Sequence, residues 1–218
     1  TMKACAEDMF EFSKTSLQVF KDVVYSNKDY MDIVLNKDLY YHETYHMGLV
    51  NDKNQFEIHH GKVRVVDQKG NEHDKYEPFD YLDHIAEASL PWTFEKFPYL
   101  KNPGWKGLVD GPESGLYRAS PLSRLNAADS MPTPEAQDAL VEYRGILKDA
   151  GVEGPCQFTL CTHWARIIEM LCCAEKCLED CQNPDILNGD IKQHDLVPGG
   201  RGVGCVEAPR GTLTHDYT

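Results

Sequence analysis

The stretch that decides the fold is LCTHWARIIEMLCCAEKCLEDC, residues 160–181. Its apolar stripe recurs every three or four positions, at Leu160, Trp164, Ile167, Leu171, Ala174, Leu178 and Cys181. This spacing is typical of an amphipathic helix with one face in the core, and Glu169 is among the polar residues that lie off the stripe. Asn183-Pro184 then stops the helix. We predict a long core helix over about residues 156–182.

Composition excludes several classes of protein. The chain has 218 residues, of which 41% are hydrophobic and 26% charged, as in an ordinary folded domain. Its net charge of -13, without a cluster of lysines or arginines, argues against binding nucleic acid. No apolar run approaches the roughly 18 residues of a membrane span, and the first residues lack the layout of a secretory signal. We therefore expect a cytoplasmic protein without a membrane span.

Strand-like alternation replaces the helical period over about residues 44–76. Phe56 and Ile58 alternate with polar residues, as do Val63 and Val65, and Gly70-Asn71 supplies turn chemistry between strands. This pattern predicts a small antiparallel meander. Helical patterns flank it, so the predicted fold class is α+β, mainly helical with a small antiparallel sheet.

Two further segments complete the predicted fold. Pro78 can open a short helix that carries Ile85 and Ala86 and ends before Pro91. Residues 91–134 hold many prolines and glycines among large aromatic residues. Because that mixture is too apolar for a solvated linker, we expect an ordered irregular stretch wrapped on a larger body.

His42-Glu43-Thr44-Tyr45-His46 matches H-E-x-x-H, the zinc-hydrolase pattern in which one helix face presents both imidazoles. The neighbouring residues favour extended structure, however, and Gly48 would break a helix soon after His46. Zinc hydrolysis through His42, Glu43 and His46 is therefore a less favoured alternative function.

Eight cysteines contain no C-x-x-C pair, the usual spacing of zinc and iron-sulfur ligands. Four of them crowd into one stretch of the helical pattern, at Cys172, Cys173, Cys177 and Cys181. Buried cysteine behaves as a small hydrophobic residue. We expect these thiols to be reduced and packed in the core, rather than to bind a soft metal.

Glu207-Ala208-Pro209-Arg210-Gly211 is the strongest candidate for a functional segment. Pro209 stiffens the backbone beside an arginine, and Gly211 allows another group to approach closely. The segment can therefore aim the Arg210 guanidinium at a site. The same residues would also suit a structural salt bridge at a turn, and the residues alone leave both interpretations open.

The run from Gly204 to Tyr217, which contains this segment, resembles the part of nickel-iron hydrogenase large subunits that lies over the active site. Other stretches resemble the cytoplasmic, cofactor-coupled branch of that family, in family order: Tyr45–Gly48, Asp80–Ile85, Phe97–Gly107, Ser120–Asp129 and His163–Arg166. Methyl-viologen-reducing hydrogenases and related NAD- or coenzyme-F420-linked enzymes are the nearest by this resemblance. It covers nearly the whole chain.

The resemblance implies that residues 1–218 are an internal fragment of a large subunit. In that family a nickel-iron centre with cyanide and carbon monoxide ligands splits hydrogen, held by two C-x-x-C pairs. Neither pair is present here, so no metal is expected in this fragment, and it is expected to be inactive alone. The resemblance assigns Arg210 to the catalytic position over the metal centre, with Pro209 positioning it.

The implied activity of the complete subunit is the reversible oxidation of H2. The implied partner is the iron-sulfur small subunit, which receives the electrons, and heterodisulfide reductase or NAD- or F420-linked subunits are further partners. An alternative of another class is a metal-free protein-interaction module derived from a hydrogenase. Such a module would fold alone and bind a redox subunit tightly.

Overall fold

The long helix begins later than the sequence predicts. In the computed structural model, which describes residues 2–192 and 199–218, helix α6 spans Thr162–Asp180 after a 3-10 turn at Thr159–Cys161. Phe158 forms an isolated antiparallel bridge with Tyr41, and the Gln157 carbonyl accepts from the His42 amide. Because these backbone groups bond to another segment, they are not available to a helical ladder.

The remaining helices and strands follow in an α+β order. Before the long helix come α1 (Met2–Phe20), α2 (Lys28–Val34), β1 (Tyr45–Val50), β2 (Lys62–Val66), β3 (Glu72–Tyr76), α3 (Tyr81–His84), β4 (Ile85–Ser89), β5 (Lys96–Leu100), β6 (Tyr117–Arg118), α4 (Pro121–Ala127) and α5 (Pro134–Asp149). After it come β7 (Gly202–Ala208) and β8 (Gly211–Tyr217). Within residues 2–192 and 199–218 no helix is long and apolar enough to cross a membrane.

Three small sheets are present among these strands. β1, β2 and β3 pair antiparallel within the segment where the sequence predicts a meander, and β6 adds a parallel fourth strand beside β1. β4 pairs with β5, and β7 pairs with β8, each as a separate antiparallel hairpin. The α+β class with small sheets is thus confirmed. That residues 1–218 are one internal fragment stays a prediction.

The segment after Pro78 differs from its prediction. Only α3 is α-helical, following a 3-10 turn at Pro78–Asp80. Ile85 and Ala86, predicted to be helical, lie in β4 opposite Leu100 and Tyr99. The pairing of β4 with β5 therefore overrides the local helical pattern. The stretch predicted to be irregular likewise contains β5, β6 and α4.

Strand β1 lies between two hydrophobic clusters because its side chains alternate between two faces. Tyr45, Met47 and Leu49 belong to the sheet cluster. On the other face, His46 contacts Ser123 of α4, and Val50 joins the larger helical cluster. Both faces are buried, so β1 brings the sheet against α4 and positions the site described next.

Candidate functional site

The E-A-P-R-G segment forms the tip of the β7–β8 hairpin. The last strand pair is Ala208 with Gly211, so Pro209 and Arg210 make a two-residue turn. Both turn residues are exposed. A β carbon at Gly211 would stand 3.0 Å from the carbonyl oxygen of Ala119, so glycine lets the hairpin lie close against the main body.

Glu207 anchors this hairpin to the main body. It lies in β7, one residue before the last strand pair. Its side chain is only 2% exposed, although the turn beside it is open to solvent. Oε1 accepts from the Leu49 amide at 2.7 Å and from the Thr212 hydroxyl at 3.1 Å. Oε2 accepts from Nη1 of Arg124 at 3.2 Å. The carboxylate thus bonds to β1, α4 and β8 at once.

Arg124 of α4 is the centre of the buried charges. Its side chain is 4% exposed, and it donates to both carboxylate oxygens of Glu169, from Nε at 2.6 Å and from Nη2 at 2.7 Å. Nη1 also donates to the carbonyl of Ala208 at 2.9 Å. We call Arg124, Glu169 and Glu207 the Arg124 network. It joins α4, α6 and β7 by charge-assisted hydrogen bonds.

Two carboxylates share one guanidinium in this network, so its charges do not balance. Burial raises the pKa of Glu207 to about 7, while the nearby Arg124 charge acts in the opposite direction. Burial also raises the pKa of Glu169 above its ordinary value, against the hydrogen bonds from Arg124. The excess acidic group is therefore held next to the hairpin tip, three residues before Arg210 in the chain.

Arg210 does not make the turn salt bridge that the residues alone left open. In the part of the chain that the structure describes, its side chain makes no hydrogen bond or ion pair, and it faces solvent beside Pro209. Arg124, which was not singled out from the sequence, makes the structural ion pairs instead. The geometry leaves the Arg210 guanidinium available to a group outside these residues.

The two histidines of the H-E-x-x-H match do not share a helix face. His42 precedes β1 and is exposed, with Nδ1 2.8 Å from Oδ2 of Asp110. His46 is buried in β1, with Nδ1 3.3 Å from the Ser123 hydroxyl. Burial, reinforced by the charge of Arg118, lowers the pKa of His46 to about 3. The zinc-hydrolase alternative is wrong, because strand geometry and separate partners replace the helix that the pattern needs.

The cysteines are all free thiols, and they are spread over the molecule. Cys172 is fully buried in the helical cluster, whereas Cys173 and Cys177 on α6 and Cys181 just after its end are partly exposed. Core packing is therefore confirmed for Cys172 and holds in part for the other three. Across residues 2–192 and 199–218, no group of three or more histidine, cysteine or acidic side chains could hold a metal ion.

Sequence reasoning did not identify Arg124 or Glu169 as site residues. Arg124 lies within the Ser120–Asp129 stretch that carries the family resemblance, which was the available signal. Glu169 lies off the apolar stripe of the long helix, yet it is buried because it pairs with Arg124. A contact across 45 residues of sequence leaves no local pattern.

With this geometry established, comparison with known proteins relates the chain to hydrogenases, a class of oxidoreductase. No family model matches. The chain is 39% identical over 216 residues to an iron-sulfur subunit of the F420-non-reducing hydrogenase from Archaeoglobus profundus, covering 99% of this chain and 43% of the relative. It is 39% identical over 176 residues to the beta subunit of the NAD-reducing hydrogenase HoxS from Cupriavidus necator, covering 78% and 33%.

A solved structure gives the same class. The crystal structure of an NAD+-reducing NiFe-hydrogenase in the H2-reduced state matches with a TM-score of 0.81 and 28% identity, over 99% of this chain and 44% of that chain. The fold thus has a neighbour among hydrogenase subunits. The chain spans about two fifths of the length of the first curated relatives that it matches, 43% and 41%.

Judged by the name of the Archaeoglobus profundus relative, the assignment to a nickel-iron large subunit is wrong. The relative from Archaeoglobus profundus is named an iron-sulfur subunit. Three further predictions fall with that assignment. They are the large-subunit fold, the large-subunit function and the nickel-iron centre with cyanide and carbon monoxide ligands. The metal-free interaction module derived from a hydrogenase fits no better, since the relatives are named as subunits of redox enzymes.

The Archaeoglobus profundus relative is named an iron-sulfur subunit. The residues that the structure describes do not fit an iron-sulfur cluster. Such clusters need about four thiolates gathered around the irons. The cysteines described above form no such group in the residues that the structure covers. We therefore derive no electron-transfer step through a cluster held by this part of the chain.

Proposed function

We propose that this chain is part of a hydrogenase subunit of the kind that the relative from Archaeoglobus profundus represents. The complete protein takes part in H2-linked electron transfer in the cytoplasm, within a complex of hydrogenase subunits. The support is the similarity over 99% of the chain to an iron-sulfur subunit, together with a fold neighbour in an NAD+-reducing hydrogenase.

Within that complex, Arg210 is the functional side chain that these residues supply, and Pro209 sets its direction. The observation that carries this assignment is the contrast between an exposed, unpaired guanidinium and the buried network that fixes its hairpin. A planar guanidinium offers five donors in a rigid fork, which suits bidentate binding of a carboxylate or another anionic group. Its partner group lies on another surface of the complex.

The partner is another hydrogenase subunit, one that carries a redox group. NAD- or F420-linked subunits and heterodisulfide reductase are the candidates for further electron transfer. The role of Arg210 in such a contact is to orient and hold the two surfaces by charge and geometry. It does not itself transfer an electron.

The test is to purify the complete protein, tagged at a terminus, under gentle conditions and to assay H2-dependent reduction of a viologen dye. We expect co-purification of at least one further hydrogenase subunit in fixed stoichiometry and dye reduction that depends on H2. A preparation that holds such subunits in fixed stoichiometry, yet gives the same rate under argon as under H2, would contradict the proposal. A complete protein that purifies alone would contradict it as well.

A further inference from the structure

We propose that Glu207 is a positioning residue, whose carboxylate fixes the β7–β8 hairpin to the main body and thereby sets the place of Arg210 at the tip. This inference rests on the proposed function of Arg210. In this account, the acidic side chain at position 207 serves to fix the geometry of the turn.

The first argument is that the hydrogen-bond donors to the Glu207 carboxylate come from three different elements. Leu49 in β1 and Thr212 in β8 donate to Oε1, and Arg124 in α4 donates to Oε2. The side chain is almost completely buried. If it moved, these buried donors would lose their acceptor, which is unfavourable for polar groups that water cannot reach. The hairpin is therefore fixed where Glu207 leaves the strand.

The backbone on both sides of the Glu207 side chain is fixed as well. Its amide donates to the carbonyl of Ile58 at 2.6 Å, and the next carbonyl, that of Ala208, accepts from Arg124 at 2.9 Å. Only Pro209 separates Ala208 from Arg210, and the proline ring holds its φ near -65°. Little backbone freedom therefore remains between the anchored carboxylate and the α carbon of Arg210, from which the guanidinium projects.

The anchor is itself rigid, because Arg124 is held by both oxygens of Glu169 on α6. The far end of the hairpin has a separate attachment to the main body, where the Tyr81 hydroxyl donates to Oδ2 of Asp216 at 3.1 Å. Loss of the Glu207 contacts should therefore loosen the tip while leaving the far end in place. This difference separates a positioning role from general stabilisation of the fold.

The test uses Glu207→Gln in the complete protein within its hydrogenase complex. Glutamine keeps the volume and an acceptor for the Leu49 amide, but its amide nitrogen cannot accept from Arg124. We expect H2-dependent dye reduction to fall at least 10-fold. Amide hydrogen exchange should become at least 10-fold faster over residues 211–213, with the His215 amide, in a hydrogen-bonded pair near the far end, unchanged. Unchanged exchange at the tip would overturn the proposal.

A second variant covers the case in which Glu207→Gln does not fold. Thr212→Val removes one donor to Glu207 and leaves every charge in place. Thr214→Val is its matched control, since Thr214 lies two residues on in the same strand and bonds to Cys205 instead. We expect faster exchange at the tip in Thr212→Val only. Equal exchange in the two valine variants would overturn the proposal.

A double-mutant cycle shows whether Glu207 acts through Arg210. In the Arg210→Lys background, Glu207→Gln should reduce the rate less than 2-fold further. Multiplicative losses would overturn the positioning role. If Arg210→Lys alone leaves the rate unchanged, the proposed function of Arg210 fails, whereas the exchange measurement still decides whether Glu207 fixes the tip.

Discussion

Gly48 of β1 lies directly against Arg124 of α4: a β carbon at position 48 would stand 2.9 Å from the Arg124 α carbon. No side chain larger than hydrogen fits this contact without moving the helix that carries the Arg124 network. Gly48 thus belongs to the site, although it bears no functional group.

Gly48→Ala should therefore destabilise the chain by about 1–3 kcal/mol, the usual cost of overpacking a close contact. Urea unfolding of the purified chain measures this change in free energy. Gly145→Ala is the matched control, because a β carbon at this position in α5 meets no atom within 4 Å. Alanine there should stabilise the helix by up to about 1 kcal/mol. Equal effects at the two positions would contradict the close packing of β1 on α4.

Arg124→Met should be the most destabilising single change in the network. Methionine approximates the volume but leaves the buried Glu169 and Glu207 carboxylates without their shared cation, which should cost about 3–5 kcal/mol. Urea unfolding at pH 7.5 measures the loss. Arg210→Met, at the exposed hairpin tip, should stay within about 0.5 kcal/mol of wild type. A loss below 1 kcal/mol in Arg124→Met would show that the network does not hold the hairpin.

His46 should make the chain sensitive to acid. Its pKa is lowered to about 3 in the folded chain by burial, against an ordinary value of 6.5. The unfolded chain therefore binds a proton more readily, so stability is retained above pH 6.5 and falls as the pH drops towards 3. At about 1.4 kcal/mol per pH unit, the loss reaches about 2 kcal/mol at pH 5.

The measurement compares His46→Asn with His163→Asn, an exposed control on α6, by urea unfolding at pH 7.5 and pH 5. His163→Asn should follow the wild type between these pH values. His46→Asn should lose about 2 kcal/mol less than the wild type does. If all three proteins lose the same amount, His46 is not buried in its neutral form.

Thiol labelling should separate the cysteines by burial. Cys5 is exposed on α1, whereas burial raises the pKa of Cys172 to about 12 and removes it from solvent. Because the thiolate is the reactive form, Cys5 should react with iodoacetamide at least 100-fold faster in the folded chain. Mass spectrometry of peptides measures both rates, and denatured protein is the control for equal reactivity. Labelling of native Cys172 as fast as Cys5 would contradict its place in the core.

The α+β class was predictable because local patterns carry it. The stripe through Trp164 and Leu171 sets α6, and the alternation around Val63 and Val65 accompanies β2. The strand at Ile85 was not predictable, because its pairing with Leu100 depends on a distant segment. The start of α6 was misplaced for the same reason, since Phe158 bonds to Tyr41.

The candidate site was predictable only at its tip. Pro209 and Arg210 stand in a recognisable motif, whereas Arg124 and Glu169 meet across 45 residues and show no common period. The family resemblance led to the hydrogenases that the comparisons also find and, by the name of the Archaeoglobus profundus relative, to the wrong subunit. Residue patterns report how a chain folds locally, and a shared fold does not by itself specify the role of a subunit.

The central claim, that Arg210 is the functional side chain of this segment, is tested most directly by H2-dependent viologen reduction in the complete complex. Arg210→Lys keeps the charge but loses the planar fork, and Arg166→Lys is the matched exposed control. We predict a rate at least about 10-fold lower for Arg210→Lys, as expected when a positioned donor is removed, and a wild-type rate for the control. A wild-type rate in a correctly assembled Arg210→Lys complex would contradict the account.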